Sequence, residues 1–212
     1  MSSFAAFIMT MTALANPAYS SDELRAMSLE HNPYRCQWCT EFDTELIQVA
    51  AENCRNLGKR TVDVLFLETL LYIEIQAGIP EDFRGAVLAA ACHESGFNPV
   101  PRNGDGGKAV GLLQLWPWWE RKYEVNRRCP FESAIAWASR IVMLVPKAKR
   151  KGCKRRPFLA AWAWVGSGPK GYTCRAPRHW TLLKRWHRKV TKRLASYGEE
   201  TTSKAALTGR LD

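Results

Sequence analysis

A long stretch in the second half of this chain contains no acid. Residues 133–198 carry 17 Lys and Arg and not one Asp or Glu, whereas residues 1–100 carry 13 acids against 6 bases. The net charge of +11 therefore belongs to one half, a surface suited to polyanions such as nucleic acid, anionic lipid or the acidic polymers of a bacterial wall. Long uninterrupted apolar runs are also missing after the first residues. The stretch 62–79 is broken by Asp63, Glu68 and Glu74, which excludes a membrane span and leaves a core helix. There is no strongly alternating segment and no internal repeat, so the reading is of a mainly helical chain. With 212 residues, 46% hydrophobic and 11% aromatic, the chain can bury a core without a metal or a disulfide framework.

Two chemical signatures are absent as well. His93-Glu94 begins like a zinc-protease motif, but Phe97 stands where the second histidine belongs. Residues 166–171 are glycine-rich, yet Tyr172 follows instead of Lys-Ser/Thr, which excludes a phosphate-binding loop.

The first residues hold an apolar stretch from 4 to 15 that ends in Ala13-Leu14-Ala15, too short to span a bilayer and similar to a signal-peptidase site. Residues 1–19 read as a leader or an apolar N-terminus, and export is the expectation. Seven cysteines fit an oxidising compartment. Cys36, Cys39, Cys54, Cys129, Cys153 and Cys174 supply up to three pairs, and Cys92, in a strongly apolar helix, is expected to stay free. Cys36 and Cys39 with Cys54 or His31 would make half a zinc site, but no second paired spacing completes it, so no metal or other cofactor is assigned.

Residues 20–60 form an acidic, cysteine-bearing appendage with helical spacing over 43–57. From 61 to 198 successive helices are expected at 62–77, 80–94, 130–145, 157–165 and 177–197; Pro80, Pro130 and Pro157 stand at three of the starts. Residues 96–119 suit a small turn or β-hairpin region, and 199–212 a flexible polar tail. The last helix has an apolar stripe at Trp180, Leu183, Trp186, Val190 and Leu194; Lys184, Arg185, Arg188, Lys189, Lys192 and Arg193 lie opposite it.

Glu94 is the residue that most resists a structural explanation. It falls on the spacing of Phe83, Val87 and Ala91, so a carboxylate shares the apolar face of its helix. Desolvation there raises a carboxyl pKa, and the partial negative charge at a helix C-terminus, set by Ser95-Gly96-Phe97-Asn98-Pro99, raises it further. That is the environment of a general acid.

His93-Glu94-Ser95-Gly96-Phe97-Asn98-Pro99, followed by Gly104-Asp105-Gly106-Gly107 and Gly111-Leu112-Leu113-Gln114-Leu115-Trp116-Pro117, resembles the soluble lytic transglycosylase and goose-type lysozyme group of the lysozyme superfamily. The resemblance spans residues 62–172, about half the chain, with Leu113 where methionine is usual. It implies a mainly α, lysozyme-like α+β fold over 61–198 and cleavage of the β-1,4 bond between N-acetylmuramic acid and N-acetylglucosamine in peptidoglycan glycan strands. By analogy Glu94 protonates the glycosidic oxygen and then, as carboxylate, takes the proton of the muramic acid 6-hydroxyl, closing a 1,6-anhydro ring. Ser95 would support substrate or Glu94, and Gln114 would hydrogen-bond to substrate. Asp105 matches an aspartate that activates water in goose-type lysozymes, although aspartate between glycines also suits a plain turn. The family's third motif, Ala-Tyr-Asn and a glycine, is replaced by Ala163-Trp164-Val165-Gly166, so Trp164 occupies the substrate-side tyrosine position without its hydroxyl. Of Trp116, Trp118 and Trp119, one is expected to face a sugar and the others the core, Trp116 being the site candidate.

The leading expectation is thus an exported lytic transglycosylase, with a muramidase hydrolase as runner-up and the basic half attracting anionic wall polymers. Two other classes compete: a wall-binding protein without catalysis, and a basic nucleic-acid-binding protein. No nucleic-acid-binding module accompanies the charge, so nucleic acid is not the expected partner, and no membrane span is expected once the leader is removed.

Overall fold

The computed structural model describes residues 40–58, 60–167 and 173–208, with side chains up to residue 165 and from 173 to 197. The expected leader at 1–19, His31, Cys36, Cys39, Gly168, Tyr172 and the end of the tail lie outside the described residues.

The described residues form a mainly helical protein. Its α-helices are α1 (Glu41–Asn53), α2 (Val64–Gln76), α3 (Ala86–Ser95), α4 (Trp118–Tyr123), α5 (Pro130–Arg150), α6 (Pro157–Ser167) and α7 (Trp180–Thr208). Local chemistry fixes several starts. Thr40 and Asp43 cap α1 reciprocally, each side chain accepting from the other's backbone N–H, and Asp63 accepts from the N–H of Leu65 at the head of α2. Pro130 and Pro157 are the first residues of α5 and α6, as expected of a residue that has no N–H to lose there. No helix among the described residues is long and apolar enough to cross a membrane.

Helix α3 is the centre of the fold, in contact with α1, α2, α5 and α7, while α5 packs along α6 and α1 along α7. Every residue from Ala86 to Cys92 is buried, so α3 has no solvent face over this length. Its beginning depends on Glu74 of α2. That side chain is wholly buried: its Oε2 accepts from the N–H groups of Gly85 (2.7 Å) and Ala86 (3.1 Å), and its Oε1 from those of Val87 (2.7 Å) and Leu88 (3.2 Å). These are the amides that a helix leaves without partners at its start, and a negative charge there also suits the helix dipole. Burial pushes the Glu74 carboxyl up to about 7, against the pull of the backbone N–H groups and Arg84.

Helix α3 does not start at Pro80. A 3-10 turn at Glu81–Phe83 comes first, Gly85 is left-handed at φ 92°, and the helix starts at Ala86. The sequence between Pro80 and Ala86 carries no side-chain cap of its own, and the cap is supplied from α2.

Residues 96–119, expected as a small turn or β-hairpin region, form turns up to the start of α4, with two isolated antiparallel bridges, Gly104 with Ala109 and Val110 with Leu115. Two further expectations are corrected. Cys92 is not free: it pairs with Cys54, and Cys153 pairs with Cys174, leaving Cys129 as the free thiol among the described residues. The apolar surroundings that suggested a free thiol suit a disulfide equally well, and α3 packs against the turn that follows Cys54. Finally, α7 runs on to Thr208 where a tail was expected from 199; the single Gly198 is a weak helix breaker and no proline follows it.

If Glu74 caps α3 as described, Glu74→Gln leaves one oxygen to accept and turns an amide N–H₂ toward backbone donors. We expect a loss of about 3 kcal/mol or more, read as the shift in urea-unfolding midpoint at constant slope. A loss below about 1 kcal/mol would contradict the assigned role.

Candidate active site

Glu94 and Ser95 form the last turn of α3, where the helix emerges from the core. The anticipated apolar stripe does not exist in the expected form, because Phe83 precedes the helix and α3 is buried on all sides up to Cys92. His93 and Glu94 are the first exposed side chains on it.

The end of α3 is tied down as firmly as its start. Gly96 is left-handed, with φ 59°, and donates to the carbonyl of Cys92 at 3.0 Å. A Cβ on Gly96 would lie 2.0 Å from the carbonyl oxygen of Asn56, so no larger residue fits. Asn56 Nδ2 donates to the carbonyl of His93 at 2.8 Å. The Arg60 guanidinium donates to the carbonyls of Leu57, Asn56, Ser95 and Gly96 over 3.1–3.4 Å, placing a cation at the negative end of the helix. The Ser95 hydroxyl donates back to the carbonyl of Ala91 at 2.9 Å, a contact internal to the helix.

The second motif folds into two bridged turns. Gln114 joins them: its Oε1 accepts from the N–H of Gly104 (2.9 Å) and its Nε2 donates to the carbonyls of Gly111 (3.0 Å) and Arg102 (3.4 Å). The Gln114 amide, expected to hydrogen-bond to a substrate, is thus engaged by the turns themselves. Arg127, which the sequence did not single out, completes the brace by donating to the carbonyls of Lys108 (2.8 Å) and Leu115 (2.7 Å) and pairing with Glu120 at 3.0 Å. The signal was slight, one arginine among 31 basic residues.

These turns bring Asp105 into electrostatic range of Glu94. Partial desolvation pushes the Glu94 carboxyl above the ordinary carboxylate range; His93 pulls it back, Asp105 pushes it up and Arg178 pulls it down. Trp116 is 43% exposed beneath the ammonium of Lys108, while Trp119 is buried and Trp118 stacks on it at 4.8 Å. Trp116 is thus the member of the trio that presents a ring to solvent. Trp164 is placed differently from the expectation of a substrate contact. It is buried, with its indole N–H on the carbonyl of Thr173 at 2.7 Å, so it offers no ring face to a ligand.

A residue that sequence reasoning missed stands on the other side. His179, just ahead of α7, meets His93 edge to face at 5.1 Å and stacks on Trp162 at 5.6 Å. Burial, with His93 and Arg178 adding to it, lowers the His179 pKa to about 4, so its imidazole is neutral at neutral pH. Nothing in the local sequence marks it, since 85 residues separate it from Glu94. The segment that carries it is held by the Cys153–Cys174 bridge.

The basic face of α7 is partly engaged. Arg193 pairs with Glu52 and, at 3.5 Å, with Glu45 of α1, and Lys189 donates to Asn53. Lys184, Arg185, Arg188, Lys189 and Lys192 are all exposed, and half-buried Arg193 holds α7 against α1.

Compared with protein-family models, with curated proteins and with solved structures, the chain finds no match in any of the three.

The electrostatic assignment can be tested without any substrate by ¹³C-observed titration of the Glu94 carboxyl in chelated buffer. Asp105→Asn should lower its pKa, because a repelling charge is removed, and Arg178→Gln should raise it. Absence of both shifts would separate the two loops from Glu94.

Proposed function

We propose that the protein is a peptidoglycan lytic transglycosylase acting on the β-1,4 bond between N-acetylmuramic acid and N-acetylglucosamine, with Glu94 as the one group that gives and retakes the proton. The observation that carries this reading is the placement of Glu94 at the exposed end of a helix that is otherwise buried, where partial desolvation raises its carboxyl and Asp105, from the glycine-rich turns, adds to the rise. Partial desolvation keeps part of the Glu94 population protonated at a higher pH than an exposed carboxyl would be. In the reaction the Glu94 proton goes to the glycosidic oxygen as the C1–O bond breaks, and the resulting carboxylate removes the proton of the muramic acid 6-hydroxyl as that oxygen bonds to C1. Glu94 must start protonated, so the rate falls as pH rises through its raised pKa.

The coupling of Asp105 to Glu94 also favours a second reading, hydrolysis. In it Asp105 as carboxylate would activate a water that replaces the 6-hydroxyl as nucleophile. Trp116, open to solvent beside the turns, is the ring on which a sugar would stack in either case.

Export follows from the same reading, and two disulfides among the described residues support an oxidising compartment. Lys184, Arg185, Arg188 and Lys192, exposed on α7, would gather the enzyme onto anionic wall polymers by an attraction screened within about 8 Å at physiological ionic strength.

The test is Glu94→Gln on purified sacculi. The amide keeps the shape but has no transferable proton, so soluble muropeptide release should disappear. Co-sedimentation with sacculi should match the parent, strong at low salt and weak at high salt. Retention of more than a small fraction of the release would remove Glu94 from the chemistry, and loss of sedimentation together with release would assign it to binding.

A further inference from the structure

The end of α3 and the residue before α7 bring together three groups that the glycosidic reaction does not need as a set. One ligand atom from each of His93, Glu94 and His179 can be chosen so that all three lie within 4.8 Å of one another. Two imidazoles and a carboxylate form a donor set for a borderline divalent cation, with zinc as its usual occupant and a remaining position left for water. Bonds of about 2.1 Å at tetrahedral angles require ligand atoms roughly 3.4 Å apart. The remaining displacement is within reach of rotation about the side chains of His93 and Glu94, both exposed, while His179 is seated on the Trp162 ring. A further observation concerns the same residue: Nδ1 of His179 is buried with no hydrogen-bond partner among the described residues, which leaves a ring nitrogen that no protein group satisfies. The nearby charges oppose one another, Arg178 disfavouring a cation and Asp105 favouring it.

We propose that His93, Glu94 and His179 form a binding site for a zinc-type divalent cation, and that the bound ion switches the protein off. The second clause rests on the glycosidic reading above. A Glu94 oxygen whose lone pair is given to a metal cannot carry the proton that the leaving oxygen requires, so metal binding and acid catalysis exclude each other. Binding forms one bond from each ligand atom to the metal, displaces metal-bound water and releases any proton held by the three groups. No redox partner is involved.

The experiment is calorimetric titration of the full chain, disulfides intact and freed of metal by EDTA and dialysis, with zinc chloride, alongside cobalt(II) absorption spectra. We expect one ion per chain and a cobalt spectrum of nitrogen and oxygen ligands without a sulfur charge-transfer band. His93→Gln and His179→Gln should each weaken zinc binding at least tenfold; His93 is exposed, so its variant remains informative if the variant of half-buried His179 fails to fold. Absence of binding at millimolar zinc, a sulfur band, or unchanged affinity in His93→Gln would overturn the site. Zinc at saturation should stop muropeptide release and EDTA should restore it; release that continues at saturation would overturn the switch. Because binding is measured without turnover, the two readings fail separately. A protein that releases muropeptides but binds no zinc loses the site and keeps the glycosidic reading, while one that binds zinc through His93 and never releases muropeptides keeps the site and loses that reading.

Discussion

The carboxylate of Glu74 is the contact on which the rest of the molecule depends. A helix buried from Ala86 to Cys92 cannot satisfy the amides of its first turn with water, and its N-cap is Gly85, which has no side chain to do so. Glu74 reaches from α2 and supplies both oxygens to four successive N–H groups. Burying a charge is costly unless it is fully hydrogen-bonded, and here the positive end of the helix dipole completes the compensation. The opposite end is closed by Asn56, Arg60 and the Cys54–Cys92 bridge. With both ends fixed, the point at which Glu94 leaves the core is fixed too.

The same logic links the two halves of unlike charge. The acidic first half and the basic second half meet along α1 and α7, where Glu45 and Glu52 face Arg193 and Tyr197 donates to Glu45 at 3.2 Å. Asp43 of α1 likewise holds Arg84 at 3.3 Å, beside the start of α3. Part of the charge imbalance is therefore used inside the fold, and only the remaining cations are available to a polyanion.

What the sequence disclosed and what it hid divide along the range of the interactions. Proline at the first position of α5 and α6, the apolar stripe of α7 and the arrest of α3 at Gly96 are local, and each is legible from residue types a few positions apart. Glu74 looked like an interruption that merely excluded a membrane span; its function lies 11–14 residues away in the chain, in amides that carry no sequence signature. Cys92 and Trp164 misled for a common reason, since apolar surroundings do not say whether a thiol meets another thiol or whether an aromatic ring meets a ligand. At the candidate site, Glu94 and Asp105 came from motif and spacing. His179 could not, because the aromatic packing of Trp162 brings it in from the other end of the chain.

On the proposed glycosidic reading Glu94 could serve either of two carboxylate-based chemistries, with Asp105 as an electrostatic partner or as the activator of a water. Mass spectrometry of the soluble muropeptides released from purified sacculi separates these directly. Intramolecular closure on the 6-hydroxyl should leave 1,6-anhydromuramic ends, lighter by one water than reducing ends. Products with reducing muramic acid ends would contradict the account and make the protein a hydrolase, and the absence of any released muropeptide would remove Glu94 from glycosidic chemistry altogether.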